Sequence, residues 1–282
     1  MSVLTSLRNA AAVLSLALLA VLVAGSASTF YSCKKKVTDP DTTITQVTPR
    51  DNILAFIKRH CEECDRQLIT LELVIEPLTG SQDTNAARAA WRMGRAQYEL
   101  VRFGPQWYLP LQHNYVALWF TGNPQSGFHF LEKSIFIPSP NMKQLEPQVE
   151  NVALTIRSTI PNGLANAGVT DDGIFHGLLH MLYDIDSIKL SGADKLYSNN
   201  SFNDAINNLN GLDSAYSYYK GLVKKSSPGA DSMFVAELAA TRLTLQNAGS
   251  MDALDKNAFR TQVLPALVSA LRQVAAAINV TL

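Results

Sequence analysis

Apolar residues spaced three and four positions apart dominate the chain from about residue 50 to its end. That spacing places them on one face of a helix, and clusters of Pro and Gly separate the successive runs. The sequence has no stretch in which apolar and polar residues alternate as they do in a half-buried strand. We therefore predict an all-α fold with two helical bundles of ordinary domain size, residues 51–165 and 166–282.

Prolines, glycines and acidic residues set the predicted ends of these helices. Asp51 suits the N-cap of the first helix. A short helix is predicted over residues 127–136. Pro- and Gly-rich segments within residues 161–173 are the best boundary between the two bundles, and Pro265 is expected to kink or split the last helix.

The N-terminal segment predicts export. Residues 1–32 contain a single charge, Arg8, followed by an apolar run over residues 10–24 and then small residues, which is typical of a secretory signal. Cys33 follows a serine and precedes three lysines. This arrangement resembles a lipoprotein signal, in which the cysteine is lipidated and becomes the new N-terminus.

Two alternatives to lipidation stay open. The signal could be cleaved by an ordinary signal peptidase near residues 25–27, or residues 10–31 could remain as a membrane helix. Residues 33–50 are polar and rich in Thr and Pro, and they predict a flexible tether. The expected location is outside the cytoplasm, with the protein anchored by lipid to a bacterial membrane and facing the periplasm or the cell surface.

Charge and cysteine content exclude two classes of protein. The 24 Lys and Arg residues are matched by 24 Asp and Glu residues, so the basic surplus that nucleic-acid binding requires is missing. Three cysteines are too few for a disulfide scaffold. If Cys33 carries lipid, Cys61 and Cys64 remain as a pair within one helix. We predict a strained or absent disulfide on a solvated face, with metal capture by His60 and both thiols as the alternative.

One candidate metal site is the pair His129 and Glu132. Residues three apart on a helix project from the same face, so an imidazole and a carboxylate could share one metal ion. The spacing alone is not diagnostic, since His60 and Glu63 repeat it in this chain. A satisfied pair on a helix surface is the alternative interpretation.

A second candidate lies in the other half of the chain. His176, His180 and Asp184 are spaced four apart and therefore follow one stripe of a helix. Gly173 and Gly177 beside them would allow a neighbouring helix to approach closely. These side chains could either ligate a metal ion or border a helix interface. Together with the pair of the first half, they would form the kind of site that bundles build from facing helices.

Three stretches resemble the imelysin-like and EfeO-like (GxHxxE) family of periplasmic proteins. The sequence GFHFLEKSIF over residues 127–136 is similar to its GxHxxE signature. Residues 87–99 resemble a family helix that carries an aromatic residue, an arginine and a Tyr-Glu pair. Residues 189–198 are similar to the K-I-[ST]-G-E-E-x-x-Y-S motif of the EfeO branch. Two departures stand out: Arg102 replaces a glutamate, and Asp194 follows alanine where the branch has Glu-Glu.

The resemblance implies two four-helix bundles facing each other, with a metal site in the central cleft between them. Iron is the expected metal, and zinc or copper are alternatives because this chain offers more imidazole than the family pattern. The implied ligands come from both halves of the chain and are His129, Glu132, Asp184 and His180. Possible second-tier residues of the site are Glu99, His176 and Arg95.

The implied function is capture of a metal ion for a membrane transporter or permease, and we assign no catalytic residue. One alternative is a metal-dependent peptidase of the imelysin type, in which His129, Glu132 and Asp184 would be ligands and Glu99 or His180 the base. The other alternative is a lipoprotein that binds polysaccharide or peptide without a metal.

Overall fold

The computed structural model describes residues 47–78, 84–117, 126–137, 142, 145–192 and 197–282. Within these residues all regular structure is helical, which confirms the all-α prediction. The predicted signal, Cys33 and most of the predicted tether lie outside them, as does Asp194. The helices in chain order are α1 Pro49–Ile75, α2 Asn85–Val101, α3 Phe103–Tyr108, α4 Pro110–Ala117, α5 Gly127–Phe136, α6 Glu146–Leu154, α7 Ile160–Asn166, α8 Asp171–Asp184, α9 Ser201–Ser226, α10 Pro228–Ala248, α11 Lys256–Ala258 and α12 Leu264–Ala277.

The N-cap of the first helix lies three residues before the predicted one. Thr48 is the N-cap: its hydroxyl accepts a hydrogen bond from the Asp51 backbone N–H at 3.2 Å, and its own N–H donates to the Asp51 carboxylate at 3.0 Å. This reciprocal arrangement is a capping box, with Pro49 at the first helical position. The prediction of Asp51 as the N-cap was therefore wrong, because Asp51 is the N3 residue of the box.

Two prolines lie inside continuous helices and follow π-helical turns. The turn Thr155–Thr159 joins α6 to α7, which contains Pro161, and the turn Phe259–Val263 leads into α12, which contains Pro265. A proline ring clashes with the carbonyl four residues earlier, and the wider turn accommodates it. The helical run around Pro265 is unbroken from Lys256 to Ala277, so the predicted split is absent, and the predicted kink stays a prediction. Pro161 does not end its helix, and the break falls after Asn166. A third π-helical turn, Ile185–Leu190, extends α8.

Helices from both sides of residue 165 pack against each other. α1 lies along α2, α2 packs against α9, and α3 packs against α8, while α10 contacts both α9 and α12. Residues 47–282 group into one compact unit, and the division into two bundles around a cleft stays a prediction. Among the described residues, the structure contains no helix that is both long and apolar enough to cross a membrane.

The contact between α3 and α8 requires a glycine at position 177. A Cβ atom on Gly177 would lie 2.2 Å from the Phe103 carbonyl oxygen, which is far inside van der Waals contact. A Cβ on Gly173 would lie 1.9 Å from the Tyr108 hydroxyl oxygen. The predicted close approach of a neighbour to these glycines is confirmed, and the neighbour is α3.

We expect Gly177→Ala to lower the free energy of unfolding by about 1–3 kcal/mol, because the added methyl group must push α3 away from α8. Urea denaturation followed by circular dichroism measures the change. Gly221 on α9 provides the matched control, since its Cβ would meet nothing within 4 Å. Gly221→Ala should stabilise the helix by about 0.5–1 kcal/mol. Equal effects of the two substitutions would contradict the proposed clash.

Candidate functional site

His129 and Glu132 form a buried pair on α5. The His129 Nδ1 and Glu132 Oε2 atoms are 2.8 Å apart, and the side chains are 2% and 1% exposed. The other carboxylate oxygen, Oε1, accepts hydrogen bonds from the Ser198 backbone N–H at 2.7 Å and from the Ser198 hydroxyl at 2.5 Å. The Tyr197 N–H donates to the same oxygen at 3.3 Å. Residues that follow α8 in the chain therefore fix the carboxylate of α5.

The helix that carries this pair is held at its beginning. Gly127 has φ +72, and a Cβ there would lie 2.4 Å from the Val116 carbonyl oxygen, so only glycine fits between α4 and α5. The indole N–H of Trp91 donates to the Phe128 carbonyl at 2.9 Å. The Phe128 ring is fully buried. The bounds of α5 match the predicted helix over residues 127–136.

Glu132 is ionised at neutral pH. Burial raises the pKa of its carboxyl group, but hydrogen bonds from His129 and Ser198 outweigh burial, and the net pKa lies below the usual range. An ionised carboxylate hydrogen-bonded to an imidazole fixes the orientation of the ring. The same arrangement supports histidine ligands in many metal sites.

A buried charge cluster joins α2, α8 with its π-helical turn, and α9. Among the described residues it contains equal numbers of basic and acidic side chains, so the formal charges of those side chains balance. Five of the six side chains are at most 4% exposed, and the sixth, Asp184, is 15% exposed. The cluster consists of Arg95, Arg102, Lys189, Glu99, Asp184 and Asp204.

Glu99 contacts four side chains of the described residues, three of them cations of this charge cluster. Its Oε1 lies 2.6 Å from a guanidinium nitrogen of Arg95 and accepts from Lys189 at 3.2 Å. Its Oε2 accepts from Arg102 at 3.1 Å and from the amide of Asn208 at 2.7 Å. This carboxylate therefore pairs with three buried cations, whose remaining positive charge is met by the other acidic side chains of the cluster.

Asp184, a predicted metal ligand, is bound to cationic and amide groups. Its carboxylate accepts hydrogen bonds from Arg102 and, at 2.7 Å, from Gln106. Burial alone lowers the pKa of Arg102, but Glu99 and Asp184 outweigh it and raise the net pKa, so the guanidinium stays charged. Arg102 is the residue that departs from the pattern of the family that the chain resembles. Its guanidinium thus binds the Asp184 carboxylate, which the resemblance predicts to be a metal ligand.

The two predicted histidines of α8 contact an indole. The His176 ring stacks on Trp107 with centroids 4.7 Å apart and planes 11° apart, and the His180 ring lies 5.3 Å from the same indole. His180 is exposed and His176 is half-buried. Among the described residues, no three His, Cys, Asp or Glu side chains are grouped so that they could hold one metal ion. His129 thus contacts Glu132, and Glu99 contacts Arg95. The four predicted ligands do not form one group in the described residues. These ligands are His129, Glu132, Asp184 and His180.

Cys61 and Cys64 are free thiols in the interface between α1 and α2. The predicted solvated face was wrong, because both side chains are buried. The two thiols are not joined in a disulfide. The Cys64 thiol donates to the Gly94 carbonyl at 3.1 Å. Burial raises the pKa of the Cys61 thiol to about 12, which disfavours the thiolate that a metal requires. His60 is engaged by the Gln97 side chain at 2.6 Å.

A buried histidine beside the charge cluster predicts that the stability of the fold depends on pH. His113 Nδ1 lies 2.8 Å from the Tyr98 hydroxyl, and burial together with nearby Arg102 lowers the pKa of His113 well below its usual 6.5. In the unfolded chain this imidazole takes up a proton below about pH 6.5, whereas in the fold it stays neutral. The free energy of unfolding is therefore expected to fall as the pH drops below about 6.5.

The free energy of unfolding of the wild type should rise with pH between about pH 5 and 6.5. His113→Gln should lower the slope of that rise by up to about 1.4 kcal/mol per pH unit. Urea denaturation at several pH values compares the variant with the wild type. His60→Gln is the matched comparison: the His60 imidazole is only half-buried, and burial lowers its pKa to a smaller extent. Identical slopes for the His113 variant and the wild type would contradict this assignment.

Several residues of the site were not predicted individually. The stretch over residues 189–198 that resembles the EfeO branch begins with Lys189 and ends with Ser198. Neither residue was proposed as a site residue. Asp204 and Asn208 lie four apart on α9, and both are buried. A polar pair at helical spacing within an apolar face is the signal that could have revealed them.

Comparison of the chain with protein-family models gives no match, and comparison with curated proteins gives no significant similarity.

Proposed function

We propose that this chain is an exported, lipid-anchored protein of the imelysin-like and EfeO-like type that captures a metal ion for a membrane transporter or permease. Iron is the proposed cargo, with zinc and copper as alternatives. The observation that carries the proposal is the buried His129–Glu132 pair on the helix that resembles the GxHxxE signature. Nucleic acid is not a proposed partner, because the charge of the chain is balanced.

In this proposal His129 and Glu132 are the first residues to bind the metal ion. If the proton shared with Glu132 stays on Nδ1, then Nε2 of His129 is the nitrogen that can coordinate a metal. Asp184 and His180 remain proposed ligands of a loaded conformation. Recruiting Asp184 requires its ion pair with Arg102 to open, so metal capture would be coupled to movement of α8 relative to α2.

Metal binding by the full chain tests the proposal. We expect His129→Ala and Glu132→Gln each to weaken binding of iron, zinc or copper by about 10–100-fold, measured by calorimetry and by elemental analysis after dialysis. His60→Ala is a matched control, because His60 and Glu63 have the same spacing, while His60 contacts Gln97 and Glu63 contacts Gln67. Equal binding by wild type and both site variants would refute the proposal. Peptide hydrolysis that requires Glu132 would favour a peptidase instead.

The proposed anchor is tested separately from the metal. Cells that express the chain should incorporate labelled palmitate into it, and Cys33→Ser should abolish the label. Labelling that persists in the variant would refute lipidation at Cys33 without bearing on the metal site.

A further inference from the structure

Three aromatic side chains of α3 and α8 form a cluster, and His180 is the one member that is also a proposed ligand of the loaded capture site. His176 and His180 lie one turn apart on α8, and both rings contact Trp107 of α3. Neither imidazole has a hydrogen bond or an ion pair within the described residues. Two imidazoles on one face of a regular helix, whose nitrogens have no polar partner among the residues that the structure describes, are suited to bind an external ligand.

The position of this cluster is fixed by the packing of the two helices. Gly177 lies between the histidines and brings α8 against the Phe103 carbonyl, while Gly173 contacts the end of α3. The indole is therefore held against the imidazoles by the close packing of α3 on α8. Trp107 is 38% exposed and His180 is exposed, so a solvated ion can reach the rings.

We propose that His176 and His180 form a second, solvent-accessible site for a borderline divalent transition-metal ion such as Cu²⁺, Ni²⁺ or Zn²⁺. Neutral imidazole is a preferred ligand of these ions, and residues four apart on a helix can chelate one of them. No third His, Cys, Asp or Glu side chain completes the group within the described residues. Water or a small external ligand fills the remaining coordination positions.

The ligand set predicts the order of affinities. Two imidazoles without carboxylates favour Cu²⁺ over Ni²⁺ and Zn²⁺, and they give little affinity for Mg²⁺ or Ca²⁺, which prefer oxygen ligands. Asp184, the next residue along the stripe, does not add an oxygen ligand, since Arg102 and Gln106 hold its carboxylate. This site shares His180 with the proposed loaded capture site, but it requires neither His129 nor Glu132.

Quenching of Trp107 fluorescence by Cu²⁺ tests this proposal on the metal-free full chain. Bound Cu²⁺ beside the indole is expected to quench its emission, and Zn²⁺ is expected to compete and restore it. His176→Ala or His180→Ala should raise the midpoint of quenching about tenfold or more, since each leaves a single imidazole. Trp107→Phe should abolish the quenching that depends on this indole and leave the emission of the other two tryptophans of the chain. Electron paramagnetic resonance should still report nitrogen ligands to the bound copper in this variant.

Three controls keep the outcome specific. His180 is exposed, so His180→Ala tests the site even if His176→Ala disturbs packing, and circular dichroism verifies that each variant is folded. His60→Ala should leave the quenching midpoint unchanged. His129→Ala and Glu132→Gln should also leave it unchanged, which separates this site from the proposed capture site. If the His176→Ala, His180→Ala double variant is quenched at the same copper concentration as the wild type, the proposal is overturned.

Discussion

A Glu99→Gln variant is expected to lose about 3–5 kcal/mol of its free energy of unfolding, the usual consequence of removing one partner from a buried ion pair. Glutamine keeps the size of the side chain but removes its charge. Arg95, Arg102 and Lys189 would then be left with too little negative charge in a region shielded from water. Urea denaturation at neutral pH, followed by circular dichroism, measures the loss.

The matched control for this variant is an exposed ion pair. Glu62 lies 3.9 Å from Lys58, and both side chains are more than half exposed, at 57% and 67%. Glu62→Gln should change the free energy of unfolding by less than about 0.5 kcal/mol. A change below about 1 kcal/mol for Glu99→Gln would mean that water compensates the cations, contrary to the burial described above.

A compensating substitution distinguishes charge from packing. Lys189→Met removes one cation of the charge cluster and should by itself be destabilising. Combined with Glu99→Gln, it restores the balance of charge, so the double variant should lose less than the sum of the two single losses. The size of that difference is the coupling energy of the pair.

A Phe128→Ala variant is expected to lose about 3–5 kcal/mol, because it empties a fully buried aromatic position. The Phe128 ring packs against Trp91 and Tyr98, with centroids 6.2 and 6.0 Å away, and Arg95 lies over its face at 5.6 Å. The ring therefore joins the start of α5 to the charge cluster. Its removal should also loosen the helix that carries His129.

Thermal unfolding and hydrogen exchange measure these two consequences. Amide protons of α5 should exchange faster in Phe128→Ala than those of α10, which lies elsewhere in the fold. Leu111→Ala is the control, since Leu111 is 78% exposed on α4 and should contribute less than about 0.5 kcal/mol. Uniform acceleration across both helices would show that α5 has no separate dependence on Phe128.

The parts of the fold that could be predicted depend on neighbours in the chain. Helical periodicity predicted the all-α fold and the bounds of α5, and the glycines of α8 predicted a close neighbour. Local chemistry was less decisive where two residues compete, as when Thr48 rather than Asp51 caps α1. Proline rules predicted a break at Pro161, but a π-helical turn accommodates the ring instead.

The partners of buried polar groups could not be predicted in the same way. Asp184 and Arg102 are 82 residues apart, and hydrophobic spacing carries no information about which cation meets which carboxylate. Sequence spacing alone made Asp184 equivalent to any other acidic residue on its stripe. Only tertiary packing shows whether a carboxylate is available to bind a metal ion or is paired with an arginine.

The π-helical turns also leave a trace in the spacing of buried side chains. In a regular α-helix, residues on one face follow each other at steps of three or four. Phe259 and Leu264 are both buried at a step of five, and so are Ile185 and Leu190, and each pair spans a π-helical turn. A step of five inside an otherwise regular apolar stripe thus indicates one extra residue in the helical turn. After that turn, each inward-facing position lies one residue later in the sequence than the regular spacing would place it.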